Sequence, residues 1–391
     1  MIKKINVKQL RIGMYINDLN CGWLDHPFSV NRFKIKSREE IQQIKDAGVK
    51  EVEVDTSKGI DVFIEKRKAE NSDLRQAIDK QLIKHPHKIS VQQELSSAQI
   101  AFTEAGELIS QIMADVKMGL YIELEQVSPV VDKLSASILR NPNALLGLSR
   151  IRSMDRYTFE HSVSFSILLM LFAKSMGLSR ELINDMGIGG LLHDIGKTLT
   201  PDAILNKPGK LTEEELIIMK RHVVDSRLIL EKTKGISQVS MDIAAQHHEK
   251  IDGSGYPHGL KGEQISVYGQ MAAIVDIYDA ITADRCYHSA KEPAEALKLL
   301  LKFTGTQLNH GLVQQFVQAV GIYPVGSLVL LSNQHLATVI DIHDNMLNPI
   351  VEVFLNTKTR SYIPREMVNL AEQDKVKIVS IESYRKWNIH N

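Results

Sequence analysis

The stretch His193-Asp194-Ile195-Gly196-Lys197 decides how this chain is read. A second stretch downstream, His247-His248-Glu249-Lys250-Ile251-Asp252-Gly253-Ser254-Gly255-Tyr256-Pro257, completes it. Adjacent His-Asp and adjacent His-His concentrate imidazole and carboxylate groups where packing has little use for them. Metal ions bind such sets, and metal-bearing sites of this kind commonly carry out hydrolysis. His161 and His222 join the set, each inside a helix-like apolar pattern. One buried histidine is ordinarily neutral and satisfied by a single hydrogen bond. Five in so short a span, three of them beside Asp194 or each other, do not fit that explanation.

Asp194 is the central carboxylate, because it can present one oxygen to each of two cations. Asp276 lies in the otherwise apolar run Ile274-Val275-Asp276-Ile277-Tyr278-Asp279-Ala280-Ile281. A charge there is costly unless it is paired or bound to metal. Asp279, three residues on, shares its helix face and suits the role of acceptor for a histidine N–H. If the 193–197 segment is helical, Lys197 projects to the same side as His193 and Asp194. A lysine in that place holds a phosphate or assists a leaving oxygen. Gly253, Gly255 and Pro257 give the second stretch a loop of unusual dihedral freedom.

The bulk numbers bound the remainder. With 391 residues the chain exceeds what one core usually serves, so two or three domains are expected. The formal net charge of +0 argues against a general field for DNA or an anionic membrane, while leaving room for local positive charge around a small anion. Cys21 and Cys286 form no CxxC pair and suggest no disulfide framework, which fits a reducing cytoplasm. Met1-Ile2-Lys3-Lys4 is not followed by an apolar signal core. The run Phe165 to Ala173 is far short of the roughly 20 residues that span a bilayer. It reads as a buried helix.

Four segments follow from the pattern. Residues 1–65 read as a small α/β domain. It has strand-like Ile5-Asn6-Val7 and Met14-Tyr15-Ile16, a helix opened by the capping box at Ser37–Glu40 and ended by Gly48, and a strand over Val49 to Val54. Residues 66–118 are polar and helix-favouring and read as a helical linker, with His85-Pro86-His87 as a solvated kink. Residues 119–320 carry long amphipathic helical patterns. Residues 321–391 change character: Val325 to Leu331, Ala337 to Ile342 and Ile350 to Leu355 are β-branched runs that read as a short antiparallel sheet.

His193-Asp194-Ile195-Gly196-Lys197, with His161 before it and Asp276 after it, resembles the HD superfamily of metal-dependent phosphohydrolases. The block at 247–257 narrows the resemblance to the HD-GYP subfamily. Leu205 to Glu215, Gly259 to Glu263 and Asp276 to Arg285 share the likeness, so that it covers roughly 150–290. The first sixty residues are similar to a small domain that often precedes such modules in bacteria. The resemblance implies a mainly α protein: an HD-type helical bundle with a small N-terminal α/β domain and a short C-terminal antiparallel β-sheet.

It further implies a phosphodiesterase acting on cyclic di-GMP, releasing pGpG, with cutting to GMP left undecided. The attacking hydroxide would come from water shared by two divalent transition-metal ions. Carried over by residue, one ion takes His161, His193, Asp194 and Asp276, and the other takes Asp194, His222, His247 and His248. Mixed imidazole and carboxylate ligands suit iron or manganese, and iron is the family's suggestion. A third ion in the family uses a Glu one turn before the first histidine; Tyr157 stands there, which favours two ions. Asp194 and Lys197 are the catalytic pair. Arg285 matches a phosphate-binding arginine whose fork suits phosphate oxygens, and His288 stands where the family often has Lys or Arg. Val223 and Ser226 replace the usual Pro and Gly after His222. Gly255 and Tyr256 belong to the substrate loop, where Tyr256 stacks on a guanine, shapes the pocket or only closes a turn. Rival readings are a phosphodiesterase for cyclic GMP-AMP and a silent signalling scaffold; the scaffold should have lost ligands, and none of the seven is missing. Protein partners through the N-terminal domain and a homodimer stay open, and neither DNA nor a membrane span is expected.

Overall fold

The computed structural model describes residues 2–21, 28, 32–59, 89–150, 157–283, 290–342, 347–373 and 375–389, except the side chains of 157 and 158. Four apolar cores organise them, two of them in the C-terminal sheet domain. The N-terminal domain is an antiparallel sheet in the order β1-β4-β2-β3, formed by β1 (Ile2–Asn6), β2 (Tyr15–Asp18), β3 (Phe33–Lys34) and β4 (Glu51–Asp55). Helix α1 (Arg38–Asp46) covers it. The capping box predicted at its start is present, with Ser37 Oγ accepting from Glu40 N and the Glu40 carboxylate reaching back to Ser37 N. Gly48 follows the helix at φ +73°, a conformation that suits glycine. Val52 and Val54 of β4 point inward with Ile5, Ile16 and Ile44, as the alternation of Val49 to Val54 predicts.

The helical domain follows. It comprises α2 (Val91–Lys117), α3 (Leu124–Arg140), α4 (Pro142–Arg150), α5 (Tyr157–Ser175), α6 (Arg180–Leu192), α7 (Asp202–Leu205), α8 (Glu213–Lys220), α9 (His222–Leu230), α10 (Gln238–Gln246), α11 (Val267–Thr282), α12 (Pro293–Lys302) and α13 (His310–Val320). One apolar core runs through most of them. Helix α5 lies at its centre: Phe165 to Ala173 is a buried helix, as expected from its length and hydrophobicity.

The structure corrects the linker reading of 66–118 in its second half. Helix α2 buries Ala98, Ala101, Ala105, Ile109, Ile112 and Val116 in the same core as α5. Its inner stripe is half alanine, which allows close helix approach but gives a weak apolar signal. Arg140 of α3 clamps it further, with Nε and Nη2 donating to the two oxygens of the fully buried Glu94. The first half of that segment, including His85 and His87, lies outside the described residues.

The C-terminal domain is a five-stranded antiparallel sheet in the order β8-β7-β6-β5-β9. Its strands are β5 (Leu328–Leu331), β6 (His335–Asp341), β7 (Ile350–Asn356), β8 (Ser361–Asn369) and β9 (Ile378–Glu382). The three β-branched runs form the middle of the sheet. The sequence reading missed both edges, because an edge strand needs no continuous apolar face: β8 carries Pro364, Arg365 and Glu366 and is largely exposed. Asp341 of β6 docks the sheet on the helices, accepting from Asn141 Nδ2 and Asn143 Nδ2 at the α3–α4 junction.

Candidate metal centre

Five chain segments converge at one point. His161 sits one turn into α5. His193 and Asp194 follow the last residue of α6, so the 193–197 segment is a helix end running into a 3-10 turn (Ile195–Leu199) that carries Lys197. His222 opens α9, His247 and His248 close α10, and Asp276 lies late in α11. Helix termini hold three of these segments because a terminal residue can leave the helix direction and still be fixed by the last turn.

Gly196 explains how two segments come so close. A Cβ there would lie 2.1 Å from the His222 carbonyl oxygen and 2.4 Å from Ser226 N. The 3-10 turn therefore rests directly on α9, and Gly196 N donates to Ser226 Oγ at 2.8 Å. The Ser226 hydroxyl supplies that bond.

Asp194 is buried at the centre, and its two oxygens face different histidines. Oδ2 lies 3.3 Å from His193 Nε2 and 3.5 Å from His161 Nε2, while Oδ1 lies 3.2 Å from His222 Nε2 and 3.8 Å from His247 Nε2. Asp276 places Oδ1 3.7 Å from His161 Nε2 and Oδ2 3.3 Å from His248 Nδ1. Ligand atoms within 4.8 Å of one another form the sets His161/His193/Asp276, His222/His247/His248 and His193/Asp194/His247. Lys197 Nζ donates to Asp194 Oδ2.

Hydrogen bonds within the protein orient four of the imidazoles. His193, His222 and His247 each direct Nδ1 to the carbonyl oxygen three residues earlier, on Gly190 at 2.8 Å, Met219 at 2.6 Å and Ala244 at 3.0 Å. A carbonyl only accepts, so Nδ1 carries the proton and Nε2 keeps its lone pair. His161 Nδ1 makes the corresponding bond to Asp279 Oδ2, the acceptor role read for Asp279 from its helix face. Phe165 stacks on His193 with centroids 3.9 Å apart, closing the apolar side of the site.

Burial and close charges shift the titration of four of these groups. Burial pushes His247 and His248 well below the ordinary histidine pKa, and neighbouring histidines reinforce this. Burial acts against the charge of Asp194, yet His193 and Lys197 beside it hold its carboxyl well below the usual range. Burial also opposes protonation of His161, but its bonds to Asp194 and Asp279 raise its pKa. Four buried atoms of this centre have no hydrogen-bond partner among the described residues: His193 Nε2, His222 Nε2, His247 Nε2 and Asp194 Oδ1. Buried polar atoms left unpaired cost roughly 1–3 kcal/mol each. Convergent lone pairs of this kind fit divalent cations, and the donor set of imidazole and carboxylate suits transition metals.

The Gly-Tyr-Pro loop forms one wall. A Cβ on Gly255 would lie 2.4 Å from Lys250 N and 2.5 Å from Glu249 Cα, so only glycine permits this approach. Tyr256 N donates to the His248 carbonyl at 3.1 Å, and the Tyr256 ring lies 4.6 Å from the His248 ring. Lys220 Nζ stands 5.1 Å from the Tyr256 ring centroid. Burial raises the Tyr256 hydroxyl pKa, so that it stays protonated. Arg285 and His288 lie outside the described residues.

Sequence reasoning passed over Glu249, Gly196, Lys220 and Phe165. Glu249 is almost fully buried and accepts from His258 N at 2.8 Å and Leu260 N at 2.9 Å. The signal for it was its place directly after His247-His248, where an unpaired acid needs a reason.

Known proteins bear on this geometry. An HD domain model matches residues 134–309, and a domain of unknown function, DUF3391, matches residues 2–127. The chain is 38% identical over 394 residues to the cyclic di-GMP phosphodiesterase PA4108 of Pseudomonas aeruginosa, covering 100% of this chain and 94% of that protein. It is 39% identical over 157 residues to the 3'3'-cGAMP-specific phosphodiesterase 1 of Vibrio cholerae, covering 40% of this chain and 36% of that protein. A cyclic di-GMP phosphodiesterase of Thermotoga maritima is 37% identical over 172 residues, 44% of this chain and 46% of that protein. An HD domain implies divalent metal binding, in keeping with the clusters around Asp194. Likeness along the whole chain, with the HD match spanning every segment from His161 to Asp276, means that the chain belongs to the HD-GYP family of HD-domain proteins.

Proposed function

We propose that this chain is a metal-dependent phosphodiesterase that opens cyclic di-GMP to linear pGpG. The observation that carries the reading is Asp194, whose two oxygens face two separate histidine sets across one buried carboxylate. The assignment is two divalent transition-metal ions, iron or manganese: one on His161, His193, Asp194 and Asp276, the other on Asp194, His222, His247 and His248. When bound, they supply a water acidified toward neutral pH and Lewis-acid charge for phosphate oxygens.

The chain's own residues do the rest. Asp194 holds the two histidine sets in register. Carbonyl partners keep Nδ1 protonated, so each Nε2 lone pair faces the centre. Lys197 Nζ, tied to Asp194, is the cation poised to neutralise non-bridging phosphate oxygens as charge develops. Phe165 and the burial of the histidines exclude bulk water, which strengthens these interactions. Water adds to phosphorus while the P–O bond to the ribose O3′ breaks, leaving a 5′-phosphate and a free 3′-hydroxyl. Tyr256 forms the wall facing the substrate, and we assign phosphate binding to Arg285 and His288. Among the described residues no helix is long and apolar enough to cross a membrane. Our reading places the reaction in the reducing cytoplasm.

The test reconstitutes the purified protein with Fe(II) or Mn(II) and offers cyclic di-GMP and 3'3'-cGAMP side by side. Expected is faster release of pGpG, lost on chelation. Asp194→Ala should lose both metal and turnover; an Asp194→Ala protein working at the wild-type rate ends the two-metal scheme.

A further inference from the structure

The loop that carries the Gly-Tyr-Pro sequence has a second attachment, on its far side. Leu260 and Ile265, both buried, belong to the apolar core of the N-terminal domain together with Ile5, Ile16, Ile35, Val52 and Val54, and Ile251 packs against it. The domain touches the metal-bearing helices again where Arg227 Nη1 of α9 donates to the Thr56 carbonyl at 3.2 Å, just after β4.

The path from this core to the metal centre is short. Leu260 N and His258 N both donate to the Glu249 carboxylate, one to each oxygen. Glu249 directly follows His248, and Tyr256 N returns to the His248 carbonyl. Gly262 N donates to the Ile251 carbonyl at 2.9 Å and closes the loop into a hairpin-like unit. Charge-assisted bonds to a buried carboxylate are short and stiff. A displacement of Leu260 therefore reaches His248 and Tyr256 through rigid links.

We propose that the N-terminal domain positions His248 and Tyr256, with Leu260 as its anchor in that domain and Glu249 as the clip that passes the constraint on. Leu260 and Glu249 are positioning residues: neither lies among the atoms that converge on the metal centre. The domain of unknown function thereby becomes a structural part of the active site and a lever on its metal affinity. The turnover arm of this inference rests on the proposed hydrolysis, while the metal arm does not.

The experiment uses the full chain and Mn(II), with binding followed by electron paramagnetic resonance. Leu260→Ala and Glu249→Gln should weaken the binding of one Mn(II) about 10-fold, the lower end of the effect of outer-shell substitutions. Their kcat on cyclic di-GMP should fall at limiting Mn(II) and recover at saturating Mn(II). Leu331→Ala, in a separate core of the C-terminal sheet, should lower the thermal midpoint and leave Mn(II) affinity unchanged. If Leu260→Ala does not fold, the milder Leu260→Val, which removes one methylene from the N-terminal core, carries the same comparison. Wild-type Mn(II) affinity in folded Leu260 and Glu249 variants, with only thermal stability reduced, overturns the proposal. A wild-type protein that binds Mn(II) yet leaves cyclic di-GMP intact refutes the functional reading instead, and the metal arm still decides this one.

Discussion

Asp279 Oδ2 lies 2.6 Å from His161 Nδ1, and both side chains are buried. The pair fixes which nitrogen of His161 carries the proton and turns Nε2 toward Asp194 and Asp276. Asp279→Asn replaces an obligate acceptor with a group that can donate, so the opposite tautomer, with the proton on Nε2, becomes available. The expected outcome is a folded protein with metal affinity lowered about 10- to 100-fold, measured by metal titration. Unchanged affinity in Asp279→Asn would show that the bond does not set the tautomer.

Lys197 makes a separable contribution. Its ammonium rests on Asp194 Oδ2 but is partly exposed, unlike the buried His161, His193, His222 and His247. Lys197→Ala should retain stoichiometric metal and lower kcat about 100-fold or more, the usual loss when one charge-stabilising donor is removed. Metal analysis and steady-state kinetics on the same preparation check it. Parallel loss of metal and rate would reassign Lys197 to holding Asp194 in place.

The candidate metal cluster was legible because its chemistry is concentrated in sequence: His193-Asp194 and His247-His248 are improbable as packing residues wherever they fold. The start of α1 was legible because Ser37 and Glu40 satisfy each other's backbone N–H within one turn. Glu249 was not, since its partners are the amides of His258 and Leu260, and any residue type supplies an amide. Leu260 and Ile265 are ordinary apolar residues in a polar loop; only the folded chain shows that their core is the N-terminal domain. The burial of helix α2 escaped notice because alanines pack closely without standing out in the pattern, and β8 was missed because an exposed edge strand carries charge.

The buried histidines imply a pH dependence with a definite sign. His247 and His248 have folded pKa values well below 6.5, mainly through burial. Once pH falls below 6.5 the unfolded chain takes up their protons and the folded chain does not, so stability falls with pH. Asp194 contributes stability above 3.8 that is lost only as pH drops toward its depressed folded value. His161 acts oppositely: its raised value gives a contribution that is full below 6.5 and lost as pH rises through the folded value. For chelator-treated protein the denaturation midpoint should therefore be lower at about pH 5.5 than at about pH 7.5. His247→Gln, which removes one of the two depressed groups, should flatten that slope. An equally steep slope in His247→Gln would mean that His247 titrates normally in the folded state.

Gly196 offers the sharpest packing test, because the atoms a methyl group would strike are backbone: His222 O at 2.1 Å and Ser226 N at 2.4 Å. Neither can rotate away, so Gly196→Ala must separate the 3-10 turn from α9 and move His193 and Asp194 relative to His222. Overpacking of this kind costs about 1–3 kcal/mol, and here the displacement falls between the two halves of the metal centre. The expected result is lower stability in urea together with metal loss beyond what partial unfolding accounts for. Gly106→Ala, in α2 with nothing within 4 Å of the added Cβ, serves as control and should stabilise by about 0.5–1 kcal/mol through helix propensity. Wild-type stability and full metal content in Gly196→Ala would mean that α9 can slide without disturbing the site, and the close contact would then be incidental to holding the two histidine sets together.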